Sequence, residues 1–114
     1  MQDIFEKLSH SKFRSRFKLS AKDKAYVKAK GMETIETHAR DFIAKRVAPA
    51  IIENDGKQTP MKNHPVFVAQ HATACCCRKC ISKWHGYAYG TELSQKEQDY
   101  LVSLIMRWIR LQME

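Results

Sequence analysis

Residues 64–86 read HPVFVAQHATACCCRKCISKWHG, and this stretch holds all four cysteines of the chain and three of its five histidines. Cys77 and Cys80 have the CxxC spacing of a zinc knuckle, with His71 upstream and His85 downstream. Thiolate and imidazole are ligands that zinc prefers in proteins. The stretch therefore predicts a Cys/His-rich metal-binding segment.

A closed tetrahedral zinc site needs four ligands, and the stretch offers more than four candidates. Free cysteines are also common as small buried residues, but three in a row followed by CxxC and flanked by histidines are not expected from packing alone. The ligand set that we predict is Cys77, Cys80, His71 and His85, with Cys76 as the first substitute for either histidine.

Three cysteines plus one further ligand would also suit an iron–sulfur cluster, which is the alternative cofactor. Cluster motifs keep cysteines apart so that each binds its own iron, whereas adjacent cysteines seldom reach different corners of one cube. We therefore expect zinc. Arg78 and Lys79 lie between the knuckle cysteines, and we expect their charges to lower the pKa of the thiols. Cys75 is the spare cysteine, and we expect it to be inert.

The length and composition indicate a single domain over residues 1–114. A chain of 114 residues can bury about two thirds of the surface that its unfolded form exposes. It is 44% apolar and 28% charged, and no apolar run approaches the roughly 20 residues of a membrane span. The first residues lack the basic start and apolar stretch of a signal peptide, so we expect a cytoplasmic protein.

Apolar spacing predicts a mainly α fold, a small helical bundle of four or five helices around one core. Trp84, Trp108 and Phe42 are expected members of that core. Capping residues and apolar periodicity predict helices that begin near Asp3, Ser20, Glu33, Pro65 and Ser94, with a short helix after the cysteines that ends at Gly86.

The N-terminal third is basic, with eight Lys or Arg between residues 12 and 30 against one acid. Residues 12–19, KFRSRFKL, alternate basic with mostly apolar residues, so an extended segment would place its charges on one side. A solvated basic face anchored by two phenylalanines explains this pattern. A patch that binds the phosphates of nucleic acid explains it as well, and the net charge of +8 favours such a partner. The candidate nucleic-acid-binding residues are Arg14, Arg16, Lys18 and Lys22.

Two functions from different classes fit these features. The first is a zinc-stabilised helical module that binds nucleic acid or protein. The second is a metal-dependent enzyme, a hydrolase or nuclease with an open metal position and a general base. Asp41 and Glu36 are candidates for that base, with His38 and Arg40 placed to bind an anionic group. The chain has no HExxH motif and no nucleophile elbow, so we place the binding module first.

The sequence also resembles a known family, a group of small bacterial proteins known as domain of unknown function 4186. In that pattern the position of Cys75 is usually a threonine, which implies that the ligands are Cys76, Cys77 and Cys80. The resemblance implies a cytoplasmic bacterial protein and carries no assigned activity. The segments that carry it are FRSRF at 13–17, HARDFIAKR at 38–46, NDGKQTPMKNHPVFVAQHATA at 54–74, CCRKC at 76–80 and KWHG at 83–86.

Overall fold

A computed structural model describes residues 3–114 of the chain, and the predicted mainly helical fold is confirmed. No strand occurs among these residues. No helix within them combines the length and the apolar character that crossing a membrane requires. The helices are α1 (Ile4–Ser9), α2 (Lys12–Ser15), α3 (Ala21–Lys30), α4 (Met32–Arg46), α5 (Pro65–Ala72), α6 (Arg78–His85) and α7 (Gln95–Met113).

The core forms where α4 and α5 pack against the long C-terminal helix α7. Ile35 and Ile43 of α4 and Ile105 and Ile109 of α7 are each 0% exposed. Their spacing of eight residues in α4 and four in α7 places them on one face of each helix, so packing the two faces together removes both from water. Val66 extends the same core from α5.

Local capping signals set the ends of the helices as the sequence predicts. Two of the three predicted capping boxes are confirmed, Ser20 with Asp23 at the start of α3 and Ser94 with Glu97 at the start of α7. At the third, Asp3 caps α1 by accepting a hydrogen bond from the Phe5 backbone N–H, without the reciprocal bond to Glu6. Gly31 separates α3 from α4 with a φ of 87°, a backbone conformation that glycine adopts without the cost other residues incur.

The basic segment at residues 12–19 is not extended, contrary to the pattern of alternation. The side chain of Ser11 accepts a hydrogen bond from the Arg14 backbone N–H at 3.1 Å and thereby caps the short helix α2. Phe17 packs against the core, whereas Phe13 is 41% exposed. The single helical turn therefore directs Arg14 inward, where an extended strand would have kept it with the other charges.

Two of the three aromatic residues expected in the core contact it. Phe42 and Trp108 are half-buried and pack against the core. Trp84 is half-buried but does not belong to that cluster, although Ile81 of the same helix does. The prediction for Trp84 was therefore wrong, since helical spacing alone does not show which residues of a short helix reach the core.

Candidate metal centre

The structure brings together the sulfur atoms of Cys76, Cys77 and Cys80, which all lie within 4.8 Å of one another. Within residues 3–114 no other group of three or more His, Cys, Asp or Glu ligand atoms is this close. Cys76 and Cys77 are buried, and Cys80 is partly exposed. These three cysteines, called the cysteine centre below, could hold a metal ion.

A sharp reversal of the chain between α5 and α6 assembles the cysteine centre. Ala74 adopts a φ of 60°, which is uncommon for a residue with a side chain. The Cys75 backbone N–H then donates to the Gln70 carbonyl at 2.7 Å and closes the turn. Cys77 caps α6 with its sulfur, which accepts a hydrogen bond from the Cys80 backbone N–H at 3.4 Å. Two of the three cysteines thus precede the helix, and one lies in its first turn.

The polar loop between α4 and α5 is bonded to the cysteine segment. The Asp55 carboxylate accepts hydrogen bonds from the backbone N–H groups of Arg78 at 2.9 Å and Lys79 at 3.1 Å. The Thr59 hydroxyl donates to the carbonyl of Cys76 at 2.8 Å. These bonds satisfy backbone groups at the start of α6 and fix the position of the sulfurs.

The cation closest to the sulfurs is Arg14, which lies 62 and 66 positions away in sequence from the two sulfurs it contacts. Its guanidinium donates to the sulfur of Cys80 at 3.0 Å, to that of Cys76 at 3.5 Å and to the carbonyl of His71 at 2.7 Å. Arg14 is only 8% exposed. The guanidinium of Arg14 is therefore bonded to groups inside the protein. The basic segment had instead predicted that it would bind a phosphate of nucleic acid.

Arg78, in contrast, directs its charge away from the cysteine centre. It is 2% exposed, and its guanidinium binds backbone carbonyl oxygens. These carbonyls occupy the guanidinium of Arg78, and the cation that is hydrogen-bonded to the sulfurs is Arg14, which the sequence did not indicate. The four carbonyls belong to Val47, Pro49, Ala88 and Thr91.

The three thiols share their protons unequally. Hydrogen bonds from the Cys76 thiol, then from the Cys77 thiol, lower the pKa of Cys80, and the charge of Arg14 lowers it further. The pKa of Cys76 is raised, because its thiol donates to the other two sulfurs and is buried. These shifts favour negative charge on Cys80, which is the most exposed of the three residues.

Cys75 lies outside the cysteine centre. It is 0% exposed, and its sulfur accepts a hydrogen bond from the Thr73 hydroxyl at 3.3 Å. Burial raises the pKa of its thiol to about 12. A neutral and inaccessible thiol of this kind is poorly reactive, in keeping with the expectation that Cys75 is inert.

The two histidines of the predicted ligand set turn their Nε2 atoms to backbone carbonyls. His71 Nε2 lies 3.0 Å from the carbonyl oxygen of Thr59, and His85 Nε2 lies 2.9 Å from that of Thr73. Neither ring belongs to the group of close ligand atoms. His85 Nδ1, however, is buried and has no hydrogen-bond partner among the described residues.

His38 and His64 form a second cluster, called the histidine pair below. His38 Nδ1 lies 3.1 Å from His64 Nε2, and the backbone N–H of Val66 donates to His64 Nδ1 at 3.0 Å. Because Nδ1 of His64 accepts, its Nε2 carries the proton and donates to His38. Burial, followed by the nearby His38, lowers the pKa of His64 to about 4. The aromatic rings around His64 are those of Tyr26, Phe42 and Phe67.

The carboxylates proposed as general bases form ion pairs on the surface of α4. Asp41 pairs with Lys45 at 3.0 Å, and Glu36 pairs with Arg40 at 3.4 Å. Arg40 also binds Asp99 of α7 at 2.8 Å. These contacts account for both carboxylates and for Arg40 as solvated links between helix positions.

The remaining three candidates for nucleic-acid binding lie on the surface. Arg16, Lys18 and Lys22 are exposed, in contrast to Arg14. Arg16 places its guanidinium 4.9 Å from the centroid of the Phe13 ring.

Comparison with known proteins supports the resemblance found in the sequence. No solved structure matches the chain. A family model described as a domain of unknown function matches residues 2–110, nearly the whole length. The chain belongs to the family called domain of unknown function 4186.

Proposed function

We propose that this protein is a zinc-binding module in which Cys76, Cys77 and Cys80 hold one structural zinc ion, and that it contacts nucleic acid through its basic surface. The observation that carries the zinc proposal is the convergence of the three sulfurs within 4.8 Å beneath the guanidinium of Arg14. The charge of +8 and the exposed cations near the N-terminus support the choice of partner.

The spacing of the sulfurs favours one small ion. Thiolates bind zinc at about 2.3 Å, so two sulfurs on one tetrahedral ion lie roughly 3.8 Å apart. Sulfurs that already lie within 4.8 Å need to move by only about 1 Å to reach that separation. Cysteines on different irons of a cube stand farther apart, so this spacing supports zinc over an iron–sulfur cluster.

The charge of Arg14 also suits a zinc ion on three thiolates. Three thiolates and one divalent cation carry a net charge of −1, which is costly to bury without a partner. Arg14 supplies the opposite charge and donates hydrogen bonds to two of the three sulfurs. Hydrogen bonds of this kind to a metal-bound sulfur hold the ligand in its orientation.

The fourth ligand that we propose is His85. Its Nε2 faces the carbonyl of Thr73, and a histidine that donates from one nitrogen to a carbonyl presents the other nitrogen as an unprotonated ligand. That second nitrogen, Nδ1, is buried and without a partner among the described residues. Coordination by this nitrogen would complete the site. His71 is the alternative, and it would have to exchange its bond to Thr59 for the metal.

A closed site of this kind has a structural role, because no position is left for a water nucleophile. The enzyme alternative requires an open position and a nearby general base. The ion pairs of Asp41 and Glu36 give it no support. A reducing compartment keeps such thiols available to metal, so we propose that the protein works in the cytoplasm.

The proposal is tested by elemental analysis of untagged protein purified without oxygen, with thiols counted before and after chelation. We expect about one zinc per chain and three thiols that react only after the chelator is added. Cys75→Ser should keep the zinc and serves as the matched control for Cys80→Ser, which should lose it. Absence of metal with three freely reacting thiols would refute the zinc site, and iron with sulfide would replace it by a cluster.

A further inference from the structure

We propose that the groove between the start of α3 and the start of α5 binds single-stranded nucleic acid, with phosphates on its basic walls and bases against its aromatic rings. This inference rests on the proposed function, which names nucleic acid as the partner, and it assigns the surface and the form of that partner. The groove has a volume of about 640 Å³.

The walls of the groove are strongly basic. The only acid that lines it is Asp23, whose carboxylate accepts a hydrogen bond from the Ser20 backbone N–H at 3.4 Å within the capping box of α3. The remaining charge is positive and comes from two separate segments of the chain. The basic residues that line the groove are Arg16, Lys18, Lys22 and Lys62.

These four cations form no ion pair among the described residues, although Arg40, Lys45 and Arg107 each pair with a carboxylate elsewhere on the surface. All four side chains are exposed. Phosphates can therefore bind them without displacing an internal partner, and the release of counterions from nucleic acid then favours association.

Two aromatic rings lie within the groove, and histidines hold both in place. Phe17 stacks on His71 with 5.6 Å between ring centroids and an interplanar angle of 16°. Tyr26 meets the edge of the His64 ring at 5.3 Å. Both are half-buried, so they lose little rotamer freedom when a base packs against them. Base stacking on aromatic rings adds to the electrostatic affinity of a basic groove in single-strand binding.

The combination of a concave surface and internal rings favours a single strand over a duplex. In a duplex the bases stack on one another inside the helix, and the rings in this groove would have nothing to stack on. In a single strand the bases are free to turn toward the protein while the phosphates follow a basic groove. The cations lie on both sides of the groove, the α3 side and the Lys62 side. This arrangement suits a strand with several successive phosphates better than a single phosphate.

The first test measures fluorescence anisotropy of a labelled oligothymidylate of about 12 nucleotides at several salt concentrations. The groove variant is Lys18→Gln/Lys22→Gln/Lys62→Gln, in which all three changes lie on the groove. The matched control is Lys57→Gln/Lys83→Gln/Lys96→Gln, three exposed lysines that do not line the groove. Both variants lower the net charge by three, so they differ only in where the charge is removed.

We expect the groove variant to bind at least about tenfold more weakly and the control to change by less than about twofold. The slope of log affinity against log salt should fall by about 2 in the groove variant, because each phosphate contact on a single strand contributes about 0.7. Tyr26→Leu should weaken binding about fivefold with little change in that slope.

Three outcomes would overturn the inference. Equal loss in the groove and control variants would mean that net charge alone attracts nucleic acid. Tighter binding of a duplex of the same length would reject the single strand, and competition by thymidine monophosphate at equal concentration would assign the groove to a free nucleotide. Zinc and thiols are measured on the same samples, so failure of the groove with zinc retained is distinct from failure of the metal centre.

Discussion

The cysteine centre and the histidine pair are two clusters of metal-ligating side chains with opposite electrostatics. In the cysteine centre, three thiols lie within 4.8 Å of one another, and a buried guanidinium faces them. In the histidine pair, the His64 ring donates to the His38 ring across 3.1 Å, and no third ligand atom completes a group within residues 3–114. The sulfurs of the cysteine centre can bind a further cation. The rings of the histidine pair already form hydrogen bonds within the protein.

This difference shows that proximity of ligand atoms alone does not identify a metal site. The side chain of His64 already has a donor at Nδ1 and an acceptor at Nε2, so neither nitrogen lacks a partner. The sulfurs of the cysteine centre can make only weak hydrogen bonds to one another, and a metal replaces those bonds with much stronger ones. Four predictions test this difference between the two clusters.

The largest expected effect is on zinc affinity. Cys80→Ser should weaken zinc binding at least about 1,000-fold, because a neutral hydroxyl replaces a thiolate ligand. His64→Asn should leave the affinity within about twofold, because the histidine pair does not bind the metal. Competition with a chromophoric chelator measures both variants. Equal losses would place the metal at the histidine pair as well and would remove the contrast.

The second effect is on stability, and it separates two arginines of the same segment. Arg14→Met should lower the free energy of unfolding by about 2–4 kcal/mol, because the sulfurs lose a buried cation and the carbonyl of His71 loses its donor. Arg16→Met, the exposed control, should change it by less than about 0.5 kcal/mol. Urea denaturation of the zinc-loaded proteins gives both values. A small effect at Arg14 would show that the centre does not need this charge.

The third effect is on thiol reactivity after zinc is removed. Cys80 should react with iodoacetamide at least about tenfold faster than Cys75, because its pKa is lowered and its side chain is partly exposed. Cys75 is buried, and its pKa is raised to about 12. Peptide mapping after timed alkylation gives both rates. Faster reaction at Cys75 would contradict the arrangement of the thiols.

The smallest effect is a pH dependence that belongs to the histidine pair. The pKa of His64 falls from its ordinary 6.5 to about 4 in the folded protein. Between these values the unfolded chain binds a proton that the folded protein does not bind. The stabilisation is therefore present above about pH 6.5 and is lost as the pH falls toward about 4. Because His64 is only half-buried, we expect this loss to be about 1 kcal/mol.

His64→Asn provides the matched variant for that measurement. An asparagine side chain can still accept the hydrogen bond from the Val66 backbone N–H, but it does not titrate. Its unfolding free energy should fall less than that of the natural protein between neutral and acidic pH. The cysteine centre is the same in both proteins, so its own pH dependence cancels. Identical pH profiles would show that His64 has an ordinary pKa.

The sequence predicts most of the helical fold because its signals are local. The capping boxes at Ser20 and Ser94 and the glycine at Gly31 each determine a helix end from neighbouring residues. The exception is residues 12–19, where alternation of charges suggested an extended segment. There the Ser11 cap, which is also local, determines the structure instead.

The sequence predicts the candidate site less completely because the site depends on contacts distant in the chain. The CxxC spacing indicates Cys77 and Cys80, and the family resemblance implies Cys76 as well; the structure brings these three cysteines together without His71 or His85. Nothing local distinguishes Arg14 from Arg16, since both lie in the same basic run and only the fold buries one of them. Variation of Arg14 together with the cysteines among relatives is the signal that could have found it.

The most direct test of the central claim is X-ray absorption at the zinc edge of the protein as purified. The proposal predicts three sulfur neighbours at about 2.3 Å and one nitrogen at about 2.0 Å with the outer-shell pattern of an imidazole. In His85→Gln the imidazole signal should disappear while the three sulfurs remain. A zinc ion with fewer than three sulfurs, or one surrounded only by nitrogen and oxygen, would contradict the three-cysteine centre.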